Sequence, residues 1–431
     1  MLSRLLKSKN LKNSYWIIGE QVFQMLLSLF VGIWTARYLG PSNYGTLQYT
    51  AAYISFFLNI AALGMEGVII KEMIAHPDEE GEYLGSAIVF RLIAGFLSTL
   101  AIILLILVLN PGDTLKLVLV LIQTTQFIFK ACWILDAWFQ RRLQSKYVSI
   151  GKMLASIVVS GYKIFLLVTA QKLVWFAVSY ALSDFVIAAV LIYFYKKEGG
   201  QKLRYNYEKG KALLLGSYHF VLADIMSAVY GYSDRIMIGK MMTDADVGFY
   251  TTAATVSMMW LFVPNAIIKS FRPTIMEFKE KGNEKMYLRR LEQLMSTVFW
   301  LSVGVALVLT VFGKLAIRIL YGEPYLPAAA PLAILVWSTV FAVTSMTRST
   351  WILSEEKNRF VKHFTFMGAA LNVVLNVIMI PLMGIWGAAF ATLVTELVVC
   401  VVSPFFFKET RPLGRLVLGA IFCTWHFKDN S

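Results

Sequence analysis

Leu100-Ala-Ile-Ile-Leu-Leu-Ile-Leu-Val108 is an unbroken apolar run with no alternation between polar and apolar residues. A strand of a transmembrane barrel alternates in polarity over segments of about 10 residues, so this run predicts a helix. The run lies inside the apolar window 84–109. About 20 apolar residues are enough for a helix to cross the hydrocarbon core of a bilayer, so the window predicts a transmembrane helix.

Similar windows recur along the whole chain. Of its 431 residues, 58% are apolar and 15% are charged, whereas soluble domains have roughly 45–50% apolar and about 25% charged residues. This composition excludes a water-soluble globule. We predict an all-α polytopic membrane protein with twelve transmembrane helices, at approximately 15–36, 44–65, 84–109, 115–138, 147–170, 173–195, 212–238, 247–271, 291–313, 328–352, 361–383 and 385–407.

Lysine and arginine are distributed unevenly between the predicted loops. When the two residues at each end of a window are counted with the adjoining loop, the N-terminus, the even-numbered loops and the C-terminus carry 27 of the 40, while the odd-numbered loops carry 6. The positive-inside rule then places both termini in the cytoplasm. Because membrane topology accounts for much of the net charge of +14, we expect no nucleic acid partner.

A basic segment, 195–211, follows the sixth predicted helix and divides the chain into two six-helix halves. When the chain is aligned with itself at a constant offset of 203 residues, Arg37 aligns with Lys240 and Gly45 aligns with Gly248. Each half has an even number of helices, so both copies have the same orientation, as in a parallel pseudo-twofold repeat. The predicted domains are a lobe at 1–200, a lobe at 201–407, and a cytoplasmic tail or truncated extra helix at 408–431.

Ionisable residues lie inside many predicted helices, although a charge at the bilayer centre costs about 2.5–3.5 kcal/mol. Polar residues also share helix faces, as Lys152, Ser156 and Lys163 do on the fifth helix. Such stripes on helices of both halves predict a polar cavity. The substrate-binding candidates are Glu20, Gln24, Arg91, Lys152, Asp224, Lys269 and Arg348.

These candidates also have structural interpretations. Lys269 and Arg348, together with Lys130, lie near predicted cytoplasmic helix ends, where long side chains can reach the interface. Glu20 and Asp224 can form permanent salt bridges that fix helix packing. Alternatively, these two acids can hold a cavity cation, or take up a proton or Na⁺ during transport.

Motifs for catalysis are missing from the sequence. The four histidines have no metal-ligand spacing, the three cysteines form no CxxC pair, and GxSxG, HExxH and GxxxxGK[ST] do not occur. The predicted loops are also too short to hold an acceptor substrate. We therefore predict movement of a substrate rather than its transformation, without enzyme activity, metal or cofactor.

Two stretches carry a family resemblance: Ala36-Arg-Tyr-Leu-Gly-Pro-Ser-Asn-Tyr-Gly45 and Asp234-Arg-Ile-Met-Ile-Gly-Lys240, the latter followed by Val247-Gly-Phe-Tyr250. They resemble the two signatures of the polysaccharide-transporter family, which belongs to the multidrug/oligosaccharidyl-lipid/polysaccharide exporter superfamily. The O-antigen and capsule-repeat flippases belong to this family.

The resemblance implies a flippase for a polyprenyl-diphosphate-linked oligosaccharide. Such a protein works by alternating access in a prokaryotic cytoplasmic membrane and serves the synthesis of O-antigen lipopolysaccharide, capsule or exopolysaccharide. Its partners are the lipid-linked oligosaccharide and the bilayer, together with polysaccharide polymerase or assembly proteins. The resemblance also implies a substrate site between two lobes, which we expect Arg91 and Lys152 to line.

Three alternatives stay open at this point. A cation-coupled drug exporter or a peptidoglycan-precursor flippase belongs to the same superfamily, but drug exporters favour acidic sites, and this chain has several intramembrane arginines and lysines. A polyprenyl-linked sugar polymerase or transferase is disfavoured by the short external loops. A scaffold for polysaccharide assembly is compatible with transport.

Overall fold

The computed structural model describes residues 9–422, without the side chains of residues 9–18, 20 and 22. Within 9–422 the secondary structure is helical and contains no strand. Eleven helical stretches of the described residues, some of which join neighbouring helices, are long and apolar enough to cross a membrane. The prediction of an all-α polytopic membrane protein is confirmed.

The chain forms two compact units, one within residues 1–232 and the other within 233–431. The lobe boundaries expected from sequence, 1–200 and 201–407, stay a prediction. The helices of the first unit, ending with the one that continues into the second, are α1 (Lys9–Ala61), α2 (Glu66–Ala75), α3 (Glu80–Leu109), α4 (Thr114–Thr124), α5 (Gln126–Ala131), α6 (Leu135–Arg141), α7 (Ser145–Val168), α8 (Leu173–Lys197) and α9 (Tyr207–Met241).

The second unit continues from α9 in the same all-helical manner. Short 3₁₀ turns precede α13 and α14, and a π-helical turn, Val398–Val402, follows α15. Its helices are α10 (Asp244–Met258), α11 (Phe262–Glu280), α12 (Glu284–Tyr321), α13 (Ala329–Ser354), α14 (Val361–Met383), α15 (Ile385–Leu397) and α16 (Arg411–Ile421).

Helix α1 contains both of the first two predicted spans. At 53 residues it is about 80 Å long, more than twice the thickness of a hydrocarbon core of about 30 Å. Its backbone leaves the helical conformation at Gly40, where φ is 71°, and Pro41 begins the second part. Glycine tolerates this left-handed conformation and proline suits the first turn of a helix, so the sequence itself explains the break.

The corresponding break in the second half has a different chemical basis. Thr243 lies at the offset of 203 residues from Gly40, between the end of α9 and the start of α10. There Thr243 and Asp246 form a capping box, in which each side chain accepts a hydrogen bond from the other residue's backbone N–H. Glycine in one half and a capping box in the other thus break the helix at equivalent positions.

The connecting segment between α8 and α9 packs closely on the start of α3. The Arg204 backbone N–H donates to the Gly81 carbonyl oxygen at 3.1 Å, and the Ser86 hydroxyl donates to the Asn206 carbonyl oxygen at 2.8 Å. A Cβ atom on Gly85 would lie 2.3 Å from the Arg204 carbonyl oxygen. The absence of a side chain at Gly85 therefore allows the connecting segment to lie against the helix.

Helix α16 lies in the predicted tail, 408–431, which follows the last predicted span. Its 11 residues are too few to cross the hydrocarbon core, and Leu413 and Val417 are buried in a hydrophobic cluster of the second unit. Before it, Glu409 accepts hydrogen bonds from Lys357 and Arg359, which hold the pKa of the Glu409 carboxyl below its ordinary value. Residues 423–431, the end of the predicted tail, lie outside the described residues.

Candidate functional site

The first unit contains a cavity of about 640 Å³. It is bounded by side chains from helices α1, α2, α3, α5, α7, α8 and α9, so residues far apart in sequence converge on it. Its wall carries three cations and two carboxylates: Arg91, Lys130, Lys163, Glu66 and Asp184. Charged groups at membrane depth are expected to face such a cavity rather than lipid.

Arg91, a sequence candidate, is the most deeply buried of the cations, with 4% of its surface exposed. Its Nη2 lies 3.9 Å from the Glu66 Oε1, which is too long for a hydrogen bond. Within the described residues, neither Nε nor Nη2 has a hydrogen-bond partner. Arg91 is therefore a buried cation whose donors can still bind an anion, and a guanidinium can do so in bidentate fashion.

Asp224, a second candidate, is close enough to Arg91 and Glu66 to interact with both electrostatically. A tight turn accounts for this placement: Leu63 and Gly64 have φ values of 56° and 58°. A Cβ atom on Gly64 would lie 2.9 Å from the Val221 backbone nitrogen. The Leu63–Gly64 segment therefore contacts α9 at Val221, about one helical turn before Asp224. Helix α2 begins at Glu66, just after this segment.

Lys130 forms the second cationic element of the cavity wall. Its Nζ lies 3.5 Å from the Asp184 Oδ1 and 3.0 Å from the centre of the Trp133 ring. The helix is interrupted here, because α5 passes into a 3₁₀ turn, Cys132–Ile134. An ion pair and a cation–π contact therefore hold Lys130 at the cavity, instead of leaving it to reach the interface.

Lys163 is the third cation, and it lies on the same helix as Lys152. Its Nζ is 5.6 Å from the centre of the Tyr180 ring, which also lines the cavity. No carboxylate of the described residues lies within salt-bridge distance of Lys163. With Arg91 beside Glu66 and Lys130 paired with Asp184, the cavity wall carries one more cation than carboxylates.

Lys152 and Gln24, both sequence candidates, contact each other. The Gln24 Nε2 donates to the Lys152 carbonyl oxygen at 3.1 Å, which ties α1 to α7. The Lys152 side chain interacts electrostatically with Asp136 and Lys130, but it is not among the described side chains that line the cavity. Glu20 also lies on α1, and its side chain is outside the described part of the chain.

The other two candidates belong to the second unit. The Arg348 Nη1 donates to the Val399 carbonyl oxygen at 3.0 Å, and its guanidinium lies 4.5 Å from the centre of the Phe364 ring. The π-helical turn makes this carbonyl available, because the Ser403 N–H bonds to the Val398 oxygen instead. Arg348 therefore supports the π-helical turn, while Lys269 is exposed on α11.

Asp234 forms a polar cluster that the sequence interpretation missed. Its carboxylate accepts hydrogen bonds from the Tyr250 hydroxyl, from the Asn376 Nδ2 at 2.6 Å and from the Thr392 hydroxyl at 2.8 Å. Three donors compensate for burial of the charge. Asn372 and Asn376, one helical turn apart within an apolar helix, were a signal in the sequence for this cluster.

Glu66 was also missed, because the sequence places it in a predicted loop after the second span. Only the fold of the Leu63–Gly64 turn brings its carboxylate to Arg91. Among the described residues, no group of three or more histidine, cysteine, aspartate or glutamate side chains could hold a metal ion. The arrangement is suited to reversible binding of an anionic, hydroxyl-rich molecule.

Comparison with known proteins extends over most of the chain. Residues 10–279, more than half of it, match a family model described as polysaccharide biosynthesis protein. A probable low-salt glycan biosynthesis flippase, Agl15 of Haloferax volcanii, is 24% identical over 373 residues, covering 84% of this chain and 76% of the relative. A putative O-antigen transporter of Shigella flexneri is 22% identical over 337 residues, covering 73% of this chain and 77% of the relative.

Solved structures with the same fold include two transporters. The lipid II flippase MurJ, in an inward closed conformation, has a TM-score of 0.73 and 15% identity, covering 94% of this chain and 90% of its own. An inward-facing multidrug resistance MATE family transporter of the MOP superfamily has a TM-score of 0.70 and 14% identity, covering 91% of this chain and 95% of the transporter chain. At this identity the likeness shows the fold, which is the two-lobe fold of that superfamily.

Proposed function

Because the chain belongs to the polysaccharide biosynthesis protein family, we propose that it is a flippase for a polyprenyl-diphosphate-linked oligosaccharide. It would carry this molecule from the inner to the outer leaflet of a prokaryotic cytoplasmic membrane for surface polysaccharide synthesis. The names of the two relatives, a glycan biosynthesis flippase and an O-antigen transporter, support this proposal. A flippase moves its substrate without breaking a covalent bond, so we propose no enzyme activity.

The observation that carries the proposal is the buried Arg91 guanidinium, two nitrogens of which have no hydrogen-bond partner among residues 9–422 as described. The lipid tail of such a substrate can stay in the bilayer, but its diphosphate and sugars are excluded from hydrocarbon. A diphosphate needs charge-assisted donors, which Arg91, Lys130 and Lys163 can supply from the cavity wall. Hydroxyl and amide groups on the same wall, such as Ser183 and Gln126, suit sugar hydroxyls.

The nearby carboxylates provide a way to release the substrate. Without a diphosphate, Glu66 and Asp224 partly neutralise Arg91, so this buried guanidinium is not left uncompensated at membrane depth. A diphosphate would replace both acids around the guanidinium. When the cavity opens to the other side, the acids compete for Arg91 again and favour release. This exchange fits alternating access, which is also part of the proposal.

Reconstituted transport tests the proposal directly. Proteoliposomes would carry a fluorescent polyprenyl-diphosphate-linked oligosaccharide, and quenching from outside would report its movement between leaflets. We expect Arg91→Ala to weaken substrate binding by about 1.5–3 kcal/mol, or roughly 10- to 150-fold, because charge-assisted hydrogen bonds are lost. Arg318→Ala is the matched control, since Arg318 is exposed and pairs with Glu323. Unchanged transport by Arg91→Ala would remove Arg91 from the site.

An exporter of organic cations is the second candidate, because Glu66 and Asp184 also face the cavity. Lys163, which lines the cavity and has no carboxylate within salt-bridge distance among the described residues, favours the anionic substrate. The same proteoliposomes decide between them when they are loaded with an organic dye cation. Movement of the dye without movement of the lipid-linked oligosaccharide would overturn the flippase proposal.

A further inference from the structure

A second, smaller cavity of about 210 Å³ lies beside the polar one in the first unit. It is a groove between α3 and the α4–α5 segment, lined by Leu92, Gly95, Phe96, Thr99, Thr124 and Ile128, among others. Phe96 and Ile128 are 63% and 58% exposed, so the groove opens on the surface that faces lipid. The hydroxyls of Thr99 and Thr124 donate to carbonyl oxygens of their own helices, so the groove offers an apolar lining.

Phe127 lines both the polar cavity and this groove. Its ring is therefore part of the wall that separates the charged interior from the lipid side. Phe127 is 4% exposed, and it packs against Gly95 on the neighbouring helix. A Cβ atom on Gly95 would lie 2.8 Å from the Phe127 Cβ, so the two helices are in contact here only because Gly95 has no side chain.

The chain on both sides of Phe127 is less regular than an ordinary transmembrane helix. Helix α5 has only 6 residues, and it is bounded by Thr125 and by the 3₁₀ turn Cys132–Ile134. A short helix with few internal hydrogen bonds can shift more easily than a continuous one. Phe127 is also near the middle of the span Thr114–Arg141, and Gly95 is near the middle of α3. This part of the wall thus lies near the centre of the bilayer.

A lipid-linked substrate has a geometric problem that this wall solves. Its headgroup must occupy the polar cavity while its hydrocarbon tail stays in lipid, so the tail must pass between two helices. Arg91, the buried cation of the cavity, immediately precedes Leu92 of the groove. The groove thus lies next to the part of the cavity that is suited to the diphosphate, with Phe127 in the wall between them.

We propose that the groove between α3 and the α4–α5 segment holds the isoprenoid tail of the substrate, and that the Phe127 ring is a lateral gate between groove and cavity. This rests on the proposed function. When the gate opens, Phe127 moves away from Gly95 and leaves a passage for the bond between tail and diphosphate. When it closes, the apolar groove is sealed from the charged cavity, so the surrounding phospholipid is kept out.

A reversible cross-link tests the gate. In a variant lacking the native cysteines, Gly95→Cys and Phe127→Cys would place two thiols opposite each other, since the Cβ positions are within reach of a disulfide after a small shift. We expect the oxidised double variant to lose transport of the fluorescent lipid-linked oligosaccharide and to regain it on reduction. The two single-cysteine variants are the controls: whatever transport rate each has, oxidation and reduction should leave that rate unchanged, because neither variant can form the cross-link.

Photochemical cross-linking tests the groove. p-Benzoylphenylalanine in place of Phe96 or Ile128 should capture a radiolabelled polyprenyl-diphosphate-linked oligosaccharide, and the same substitution of Leu104 should not. Leu104 is 63% exposed on the same helix α3 but is not among the residues that line the groove. Unlabelled substrate should compete with capture at the two groove positions, whereas added phospholipid should not.

The outcomes separate this proposal from the function on which it rests. If the reduced double-cysteine variant transports the substrate and the oxidised variant does so equally well, the gate is wrong while the flippase function stands. Equal capture at Phe96, Ile128 and Leu104 would show contact with bulk lipid and overturn the groove. If the protein with its native residues at these positions moves no lipid-linked oligosaccharide, the proposed function itself fails.

Discussion

The guanidinium of Arg91 lies 3.9 Å from the carboxylate of Glu66, although Arg91 is almost fully buried and the Glu66 side chain is 72% exposed. The cation is thus held inside the cavity wall while its nearest acid remains accessible. Exposed ion pairs contribute about 0–1 kcal/mol, and because the Glu66 carboxylate is solvated and 3.9 Å away, we expect its attraction to Arg91 to contribute about 1 kcal/mol. A bound diphosphate can therefore displace Glu66 at little cost.

The first prediction concerns Glu66. Glu66→Gln removes the competing charge, so the affinity for the lipid-linked oligosaccharide should rise by up to about fivefold, which corresponds to about 1 kcal/mol. Release should slow in proportion, because the carboxylate no longer competes for Arg91. Equilibrium binding and transport rate would be measured in the same proteoliposomes. Glu72→Gln, on the same short helix α2, is the matched control, and a weaker affinity in Glu66→Gln would contradict the exchange.

The second prediction concerns energy coupling through Glu20 and Asp224. If these acids take up a proton or Na⁺, Glu20→Gln and Asp224→Asn should reduce the response of transport to an imposed pH or Na⁺ gradient. Purely structural acids would instead change protein abundance or stability without changing that response. Transport would be compared with and without each gradient. Variants with an unaltered rate and an unaltered gradient response would exclude the coupling role.

The third prediction concerns the packing of the connecting segment on α3. Gly85→Ala should destabilise the protein by about 1–3 kcal/mol, because its Cβ would collide with the Arg204 carbonyl oxygen. Gly161→Ala, within α7, has no neighbouring atom within 4 Å of the added Cβ. It should stabilise its helix by roughly 0.5–1 kcal/mol. Thermal unfolding in detergent would compare both variants, and equal stability would show that the segment is not held there.

The fourth prediction is the membrane topology. From the distribution of lysine and arginine, cysteines introduced at Gly200 and Gly282 should be labelled from the cytoplasm, and those at Gly112 and Gly322 from outside. A membrane-impermeant thiol reagent applied to intact cells would measure this in a variant without the native cysteines. Labelling from outside at position 200 or 282 would overturn the expected orientation.

Much of the fold could be predicted because insertion into a bilayer depends mainly on the length and hydrophobicity of each segment. The apolar window 84–109 corresponds to α3, whose observed bounds are Glu80–Leu109. The break in α1 could likewise be explained from Gly40 and Pro41. The backbone freedom of glycine and the restricted φ of proline are properties of single residues.

The identity of buried charges was also readable from sequence, but the role of each depended on its neighbours. Arg91 was expected to line a cavity between the lobes, which stays a prediction, and the structure places it in the wall of a cavity within the first unit. Arg348, with the same charge and a similar setting in the sequence, donates to a carbonyl oxygen freed by the π-helical turn. Lys152 was grouped with Lys163 on one helix face, yet only Lys163 lines the cavity among the described side chains.

The sequence by itself determined the membrane helices, the family and which polar side chains are carried into the bilayer, because these follow from the chemistry of local segments. Only the tertiary structure decided that Glu66 meets Arg91, that Lys130 pairs with Asp184 and that Phe127 stands between a polar cavity and an apolar groove. Such contacts depend on how each helix is rotated and where neighbouring helices approach most closely. Hydrophobicity leaves both undetermined, and close packing at residues such as Gly64 and Gly95 fixes them.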